Sequence, residues 1–343
     1  MLSERKKAIL QAIVENYIRD AEPVGSRKIA KQADIPFSPA TIRNEMSDLE
    51  EMGFLVQPHA SAGRIPSQKG YRYYVDHMMQ PQEIKAEELE NIRVLFQKHY
   101  LEFDQAIRQT AHILSELTHY TVIVLGPEIF QTQLRYLQII PLEGRKAVAI
   151  LVTDTGKVEN RLVDIPESVS TEQIERLVQM VNERLRGTTI AELQAKLFTE
   201  FADAMKRNLT HYEEIQRLIS QLLIPKQEDR LILEGKSQIL TQPEFRDVDK
   251  VRNLLELLDE DEKVIRLFHG KGKGVLVRIG KENNHESIED CSIVSATYEA
   301  GNNAVGTIGI LGPVRMDYSR VMGILKIISL ELSDVFSRFY KSG

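Results

Sequence analysis

The sequence predicts an α+β fold, with a small helical unit that ends in a hairpin followed by a larger mixed unit. Three observations predict it. Closely spaced helical patterns cover residues 9–53, and a loop of small residues at 57–63 lies between two apolar segments. Strand and helix patterns alternate after residue 120. Three short helices with tight connections and a following hairpin are typical of a winged helix-turn-helix, which we expect to occupy residues 1–80.

The first two helices are marked by an apolar stripe and a break. Ile9, Ile13 and Tyr17 recur at helical spacing, and Pro23-Val24-Gly25 ends that pattern. Ser26 is then the predicted N-cap of a second, short helix over residues 27–33.

The third helix has the clearest boundaries. Ser38 is the predicted N-cap, Pro39 suits the first helical position, and Gly53 suits a left-handed residue after the helix. The opposite face from its apolar stripe carries Thr41, Arg43, Asn44 and Ser47. Short hydrogen-bonding side chains with an arginine are the chemistry that reads base edges in a major groove, although a solvated surface helix would look similar.

The hairpin after this helix is predicted to be a DNA-contacting wing. Residues 54–56 can pair with Arg64 and the residue after it, across a loop that contains His59 and Ser61. The small residues of that loop let the backbone approach another molecule, and Arg64 and Lys69 add positive charge. The alternative is an ordinary surface hairpin.

These patterns give two groups of predicted DNA contacts. Thr41, Arg43 and Asn44 are expected at or beside base edges, with Ser47 on the same face. The residues expected at phosphates or along the wing are Ser26, Arg27, Ser38, His59, Ser61, Arg64 and Lys69.

Net charge limits the kind of nucleic-acid binding. The first 80 residues hold 11 Lys and Arg against 10 Asp and Glu, whereas the whole chain has a net charge of −6. An acidic chain with a nearly neutral N-terminal unit does not suit general polyanion binding. Specific contacts therefore have to supply much of any discrimination.

The larger unit is predicted from its strand and helix patterns. Helix is expected over 83–119, 171–186, 190–223 and 318–340, with a further helix around 248–258. The expected strands are 121–125, 134–140, 147–153, 157–163, 231–233, 238–240, 275–279, 291–297 and 307–311, with a hairpin turn at 154–156.

Four blocks of sequence resemble the HrcA family of heat-inducible transcription repressors. They are residues 21–27 (AEPVGSR), 38–54 (SPATIRNEMSDLEEMGF), 61–67 (SAGRIPS) and 70–76 (GYRYYVD), in the family's order and spacing. The block 309–318 (GILGPVRMDY) also resembles the end of a GAF-like sensor domain. The resemblance implies a homodimer that binds an inverted-repeat operator of chaperone operons in double-stranded DNA, and a GroE chaperonin that maintains the active form.

The resemblance also implies a domain order. A GAF-like α+β domain would comprise residues 81–190 and 263–343, interrupted by a mostly helical dimerisation domain at 191–262. The candidate dimer surface is an apolar stripe made of Leu209, Tyr212, Ile215, Leu218, Ile219 and Leu222. Periodicity alone equally allows this stripe to pack within its own chain.

Other classes of function find little support in the sequence. The only cysteine, Cys291, fits a reducing compartment. The sequence shows no signal-peptide pattern and no apolar run long enough to span a membrane. We therefore expect a cytoplasmic protein. The histidines lack metal-ligand spacing and no acid–base set is evident, so we expect no metal, cofactor or catalysis. Two alternatives stay open: a repressor whose core binds a small molecule among residues 275–311, and an enzyme with an accessory DNA-binding unit.

Overall fold

The computed structural model describes residues 2–32, 35–96, 103–126, 133–154, 158–189, 192–193, 196, 210–223, 231–268, 274–299 and 305–341. Residues 155 and 156 of the predicted turn, and half of the predicted helix at 190–223, lie outside these residues. The structure contains one two-stranded, one three-stranded and one five-stranded sheet among the described residues, so the α+β prediction is confirmed.

The N-terminal unit is a winged helix-turn-helix, as predicted. Its elements in chain order are α1 (Glu4–Asp20), α2 (Ser26–Ile29), α3 (Pro39–Glu51), β1 (Leu55–Val56), β2 (Ile65–Pro66) and α4 (Gln68–His77). The hairpin pairs Leu55 with Pro66, and the backbones of Val24 and Arg64 exchange two hydrogen bonds of 2.9 Å. The segment before α2 thus extends the small sheet and fixes the wing against the helices.

The C-terminal part is built on a five-stranded antiparallel sheet. Its strands are β3 (Thr121–Leu125), β7 (Leu231–Glu234), β8 (Val275–Ile279), β9 (Cys291–Glu299) and β10 (Val305–Pro313), in the spatial order β7-β3-β10-β9-β8. Helices α5 (Ala86–Phe96), α6 (Phe103–Thr118) and α11 (Tyr318–Lys341) lie on one face. Helices α9 (Val248–Leu258) and α10 (Asp261–Phe268) cover the other. Alternate residues of β3 enter the two cores, as a sheet covered on both faces requires.

A separate three-stranded sheet forms between β3 and β7 of the chain. It consists of β4 (Leu134–Pro141), β5 (Lys146–Thr153) and β6 (Val158–Asp164), covered on one face by α7 (Thr171–Arg184) and α8 (Tyr212–Leu223). Since β3 and β7 are hydrogen-bonded neighbours, the chain leaves the larger sheet after Leu125 and rejoins it at Leu231.

These pairings correct the predicted boundaries. The inserted unit contains three strands and the described residues between 133 and 223, whereas the sequence predicted a mostly helical block at 191–262. The segment 231–258 belongs to the larger sheet and its covering helices. Residues 238–240, predicted as strand, lie in a 3₁₀ helix over Lys236–Thr241. The boundary of the inserted unit was misplaced because a short strand pattern does not show which sheet the strand joins.

The predicted dimer stripe has a partner within its own chain. Ile215, Leu218 and Ile219 are buried against the inner face of the three-stranded sheet, and Tyr212 packs beside them. Leu209 and the side chain of Leu222 lie outside the described residues. The buried residues of the stripe therefore pack within their own chain, the alternative that periodicity allowed. A face that is already covered cannot also contact a second copy.

Aromatic side chains occupy space above glycines in β10. A Cβ at Gly306 would overlap the Tyr298 ring, and one at Gly309 would overlap Phe268. The Tyr298 hydroxyl donates to the Leu125 carbonyl (3.0 Å), which fixes its ring in the core. At these positions protein atoms fill the region where the sequence allowed a small-molecule pocket.

Helix α11 is the longest of the described helices, with 24 residues. Ile324, Leu325 and Ile328 are fully buried, so one side of α11 belongs to the core. Within the part of the chain described, none of the helices combines the length and apolar composition needed to cross a bilayer.

Candidate nucleic-acid interface

The start of helix α3 is fixed by the predicted cap. The Ser38 hydroxyl accepts a hydrogen bond from the Thr41 N–H (3.1 Å) and lies 2.9 Å from the Thr41 hydroxyl. Pro39 is the first helical residue. The two hydroxyls therefore belong to one network at the positive end of the helix dipole, where a phosphate is favoured.

The end of α3 directs the chain into the wing. Gly53 has a φ of +78°, a left-handed conformation that favours glycine. The Gly53 N–H bonds to the Glu50 carbonyl (2.8 Å), and the Phe54 N–H bonds to the Leu49 carbonyl (2.9 Å). These two bonds form a Schellman motif, which confirms the predicted helix end and sets the direction of β1.

One side of α3 is free to meet a ligand. Ile42, Met46 and Leu49 are buried, whereas Arg43, Asn44 and Ser47 are exposed and Thr41 is half-buried. The structure therefore brings the four residues predicted for base reading onto one exposed side. A guanidinium and a carboxamide can each form the paired hydrogen bonds that identify a base in the major groove.

Two carboxylates of the same helix, Glu45 and Asp48, are paired with cations of α1. Lys6 Nζ lies 2.8 Å from both Glu45 Oε2 and Asp48 Oδ2, and Arg5 Nη1 lies 3.3 Å from Glu45 Oε1. The hydrogen bond to Asp48, followed by that to Glu45, raises the pKa of Lys6. Sequence reasoning missed Arg5 and Lys6, because about forty residues separate them from their partners and both lie in an ordinary charged N-terminal stretch.

The two basic residues predicted for the wing also have protein partners. Arg64 Nε lies 2.7 Å from Glu50 Oε2, and Lys69 Nζ donates to the Met52 carbonyl (2.8 Å) while lying 4.6 Å from the Phe54 ring centre. Lys69 therefore satisfies an orphan carbonyl at the end of α3. The sequence predicted Arg64 and Lys69 as phosphate ligands without foreseeing these attachments.

The wing loop is held by side-chain and backbone contacts. Gln57 Nε2 donates to the carbonyls of Ala60 and Ala62, both at 3.1 Å. His59 and Ser61 are exposed in this loop, as their predicted role requires. The two Gln57 hydrogen bonds tie the two halves of the loop together.

Helix α2 differs from its prediction at the start. Ser26 is its first residue, Gly25 is the N-cap, and the cap has no side-chain hydrogen bond. Arg27 is exposed, whereas Lys28 Nζ lies 2.6 Å from Asp20 Oδ2. Hydrogen bonds from Lys28 and then Arg19 lower the pKa of Asp20. Of the cations in this helix, Arg27 is thus the better placed to meet a backbone phosphate.

Comparison with known proteins identifies the chain. Residues 1–79 match the family model described as winged helix-turn-helix transcription repressor, HrcA DNA-binding. Residues 104–322 match the model described as HrcA protein C terminal domain. The chain belongs to the HrcA family. HrcA proteins are transcription repressors, so this chain is a DNA-binding regulator and not an enzyme.

Similar proteins extend over the whole chain. The heat-inducible transcription repressor HrcA of Brevibacillus brevis is 49% identical over 99% of this chain and 100% of its own length. The protein of the same name from Halalkalibacterium halodurans is 47% identical over 99% of each chain. A crystal structure of a hypothetical protein has a TM-score of 0.64 and 25% identity, covering 99% of this chain and 100% of that chain. The layout of the whole chain is thus shared with HrcA relatives.

Proposed function

We propose that this HrcA chain is a heat-inducible repressor that binds, as a homodimer, an inverted-repeat operator of chaperone operons in double-stranded DNA. We further propose that the GroE chaperonin maintains its active form. The printed names of the relatives support the heat-inducible role. The operator, the dimer and the chaperonin are implied by the family resemblance.

The observation that carries the DNA-binding part is the charge arrangement of α3. Its exposed side presents Arg43 and Asn44, and the carboxylates of Glu45, Asp48 and Glu50 beside them each have a cation within 2.8 Å. Unpaired carboxylates would repel the phosphates that flank a major groove. The pairing thus supports insertion of α3 into a duplex.

The dimer is supported by an apolar outer face on the three-stranded sheet. Tyr136, Ile140, Val158 and Leu162 are 40–62% exposed. The strand register places them on one face with Val148 and Val152 of the central strand. An antiparallel sheet with one covered face normally presents polar residues on the other. A second copy on this face would supply the two-fold axis that an inverted repeat requires.

Replacing Leu162 with Asp tests the dimer. We expect sedimentation equilibrium to show a shift from dimer to monomer, because a charge would be buried in the interface. Val248 is 72% exposed on α9, outside this face, and Val248→Asp is the matched control that should leave the dimer intact. An unchanged dimer in the Leu162 variant would refute this location.

Operator binding and chaperonin dependence need separate measurements. Fluorescence anisotropy with the full chain should show preference for an inverted repeat from the promoter region over a scrambled duplex of equal length. Chaperonin with ATP, added to repressor released from denaturant, should raise the fraction active in this assay. An equal active fraction with and without chaperonin would contradict the chaperonin dependence and leave the operator-binding proposal intact.

A further inference from the structure

Helix α4, which follows the wing, is hydrogen-bonded to the turn after β8 through Gln68. Its Nε2 donates to the Glu289 carbonyl (2.9 Å), and its Oε1 accepts from the Lys281 N–H (3.1 Å). The backbone at Gly280 has a φ of +57°, and a Cβ there would overlap the Gln68 amide. The Gln68 side chain thus occupies a notch that only glycine leaves open.

Arg72, one turn further along α4, makes a second connection to the same turn. Its Nε donates to Glu282 Oε1 (2.9 Å), and its Nη2 donates to Glu282 Oε2 and to the Val277 carbonyl (2.7 Å from the latter). Glu282 Oε2 also accepts from the Ile279 N–H (2.8 Å), which orients the carboxylate. A two-pronged arginine–carboxylate pair fixes angle as well as distance.

Two further attachments lie away from α4. Arg315 Nη1 donates to the Ile18 carbonyl near the end of α1 (3.0 Å), and the same guanidinium pairs with Glu244. In the segment after α4, the Gln80 carbonyl accepts from the Ser319 hydroxyl (2.6 Å). The winged unit is therefore attached to the core at three separated places.

Apolar packing reinforces these polar attachments. The rings of Tyr71 in α4 and Tyr318 at the start of α11 lie 6.0 Å apart, and both residues are buried. One continuous apolar cluster includes residues of α1, α3, α4 and the larger sheet. The direction of α3 relative to the sheet is thus set by packing and by several directed bonds.

We propose that Gln68 and Arg72 are positioning residues that set the spacing between operator half-sites which the dimer accepts. The inference rests on the proposed function, since it needs two winged units on one operator. Contacts to a rigid core fix where each recognition helix points. Two half-sites can be bound together only when their separation matches that geometry, and avidity is lost when it does not.

The test is a spacing profile measured with the full chain. Affinities are compared for duplexes whose half-sites are separated by the preferred distance and by distances altered by up to about five base pairs, half a helical turn. A duplex with a single half-site is measured in parallel. The variants are Gln68→Ala and Glu282→Lys, alone and combined, since the lysine replaces attraction to Arg72 by repulsion. The control is Glu88→Gln, which removes a 2.7 Å, partly exposed ion pair with Arg320 between α5 and α11, away from the winged unit.

We expect wild type and the control to lose about a hundredfold in affinity at the mismatched spacing, within the usual range of avidity effects. The double variant should lose less than about tenfold, with single half-site affinity unchanged. A role in stability alone would lower affinity equally at every spacing, so an unchanged profile in a folded double variant overturns the inference. If wild type itself shows no gain from a second half-site, the proposed function fails instead.

Thermal unfolding of each variant shows whether it is folded. Should the double variant fail to fold, Gln68→Ala alone supplies the test, because it removes two hydrogen bonds without introducing a charge. We then expect a smaller broadening of the same profile, and no broadening would again count against the inference.

Discussion

Arg64 Nε in the wing lies 2.7 Å from Glu50 Oε2 at the end of the recognition helix. The pair spans fourteen residues of sequence and joins the wing to α3, the two parts of the winged unit that we propose to face DNA. Both side chains are partly exposed, so solvent weakens the pair and its energy is modest. Its main effect is to hold the wing at a fixed angle and to cancel a carboxylate near the helix.

Replacing Arg64 with Ala should weaken binding about evenly across DNA sequences and reduce the salt slope by about one unit, if the guanidinium also meets a phosphate. Binding titrations at several salt concentrations measure both quantities. The double change Glu50→Ala and Arg64→Ala separates the two roles. Full recovery of affinity in the double variant would show that Arg64 acts only by cancelling Glu50.

Replacing Asn44 with Ala should cost about 1–3 kcal/mol of operator binding and relax preference at one base pair, because its carboxamide is expected to read a base edge. A panel of operators with each base pair changed in turn measures this. Asn253→Ala makes the same change at an exposed position of α9 and should bind like wild type. Equal loss on every operator would contradict base reading by Asn44.

Replacing Gly63 with Ala should displace the wing, because the added Cβ would overlap the backbone of Val24. We expect a loss of about 1–3 kcal/mol in the free energy of unfolding, as for overpacking elsewhere. Denaturant titration measures it. Gly25→Ala is the matched control, since nothing lies within 4 Å of its added Cβ. Similar stability in the two variants would show that the wing tolerates the shift.

Replacing Lys6 with Gln should lower DNA affinity, although Lys6 lies on α1 and not on α3. The change leaves Asp48 without its cation and Glu45 with Arg5 alone. The triple variant that adds Glu45→Gln and Asp48→Asn should recover most of the loss, which anisotropy titrations can measure. If the triple variant binds no better than Lys6→Gln, Lys6 acts by some route other than cancelling these carboxylates.

Burial raises the pKa of the Cys291 thiol from 9.0 to about 12. Between pH 9 and pH 12 the thiol therefore ionises mainly in the unfolded chain. Its contribution to the free energy of unfolding is constant below pH 9. It falls above pH 9 by about 1.4 kcal/mol per pH unit. Cys291→Ala should therefore lose less stability than wild type between about pH 7 and about pH 10. Equal losses in denaturant titrations would contradict this assignment.

Local signals in the sequence predicted the winged unit well. The Ser38 cap, Pro39 and the left-handed Gly53 depend on neighbours within a few residues, and all three occur as predicted. The partners of Arg64 and Lys6 could not be predicted, because they are set only when the wing and α1 pack on α3. The DNA-contacting roles of the exposed residues stay predictions.

The limits of the inserted unit depend on long-range pairing. The strand patterns of 121–125 and 231–233 were predicted, but nothing local indicates that these segments are hydrogen-bonded neighbours. Antiparallel partners in β4, β5 and β6 follow one another in sequence and close their own sheet without the other strands. The order of patterns along the chain therefore placed the start of the inserted unit at residue 191, after these three strands, although the chain leaves the larger sheet after Leu125.

The unbroken apolar cluster shared by the winged unit and the larger sheet has a thermal consequence. Segments that share one interior tend to melt together, so the DNA-reading surface should vanish in the same cooperative transition as the sheet. Such coupling would confine the loss of operator binding to a narrow temperature range.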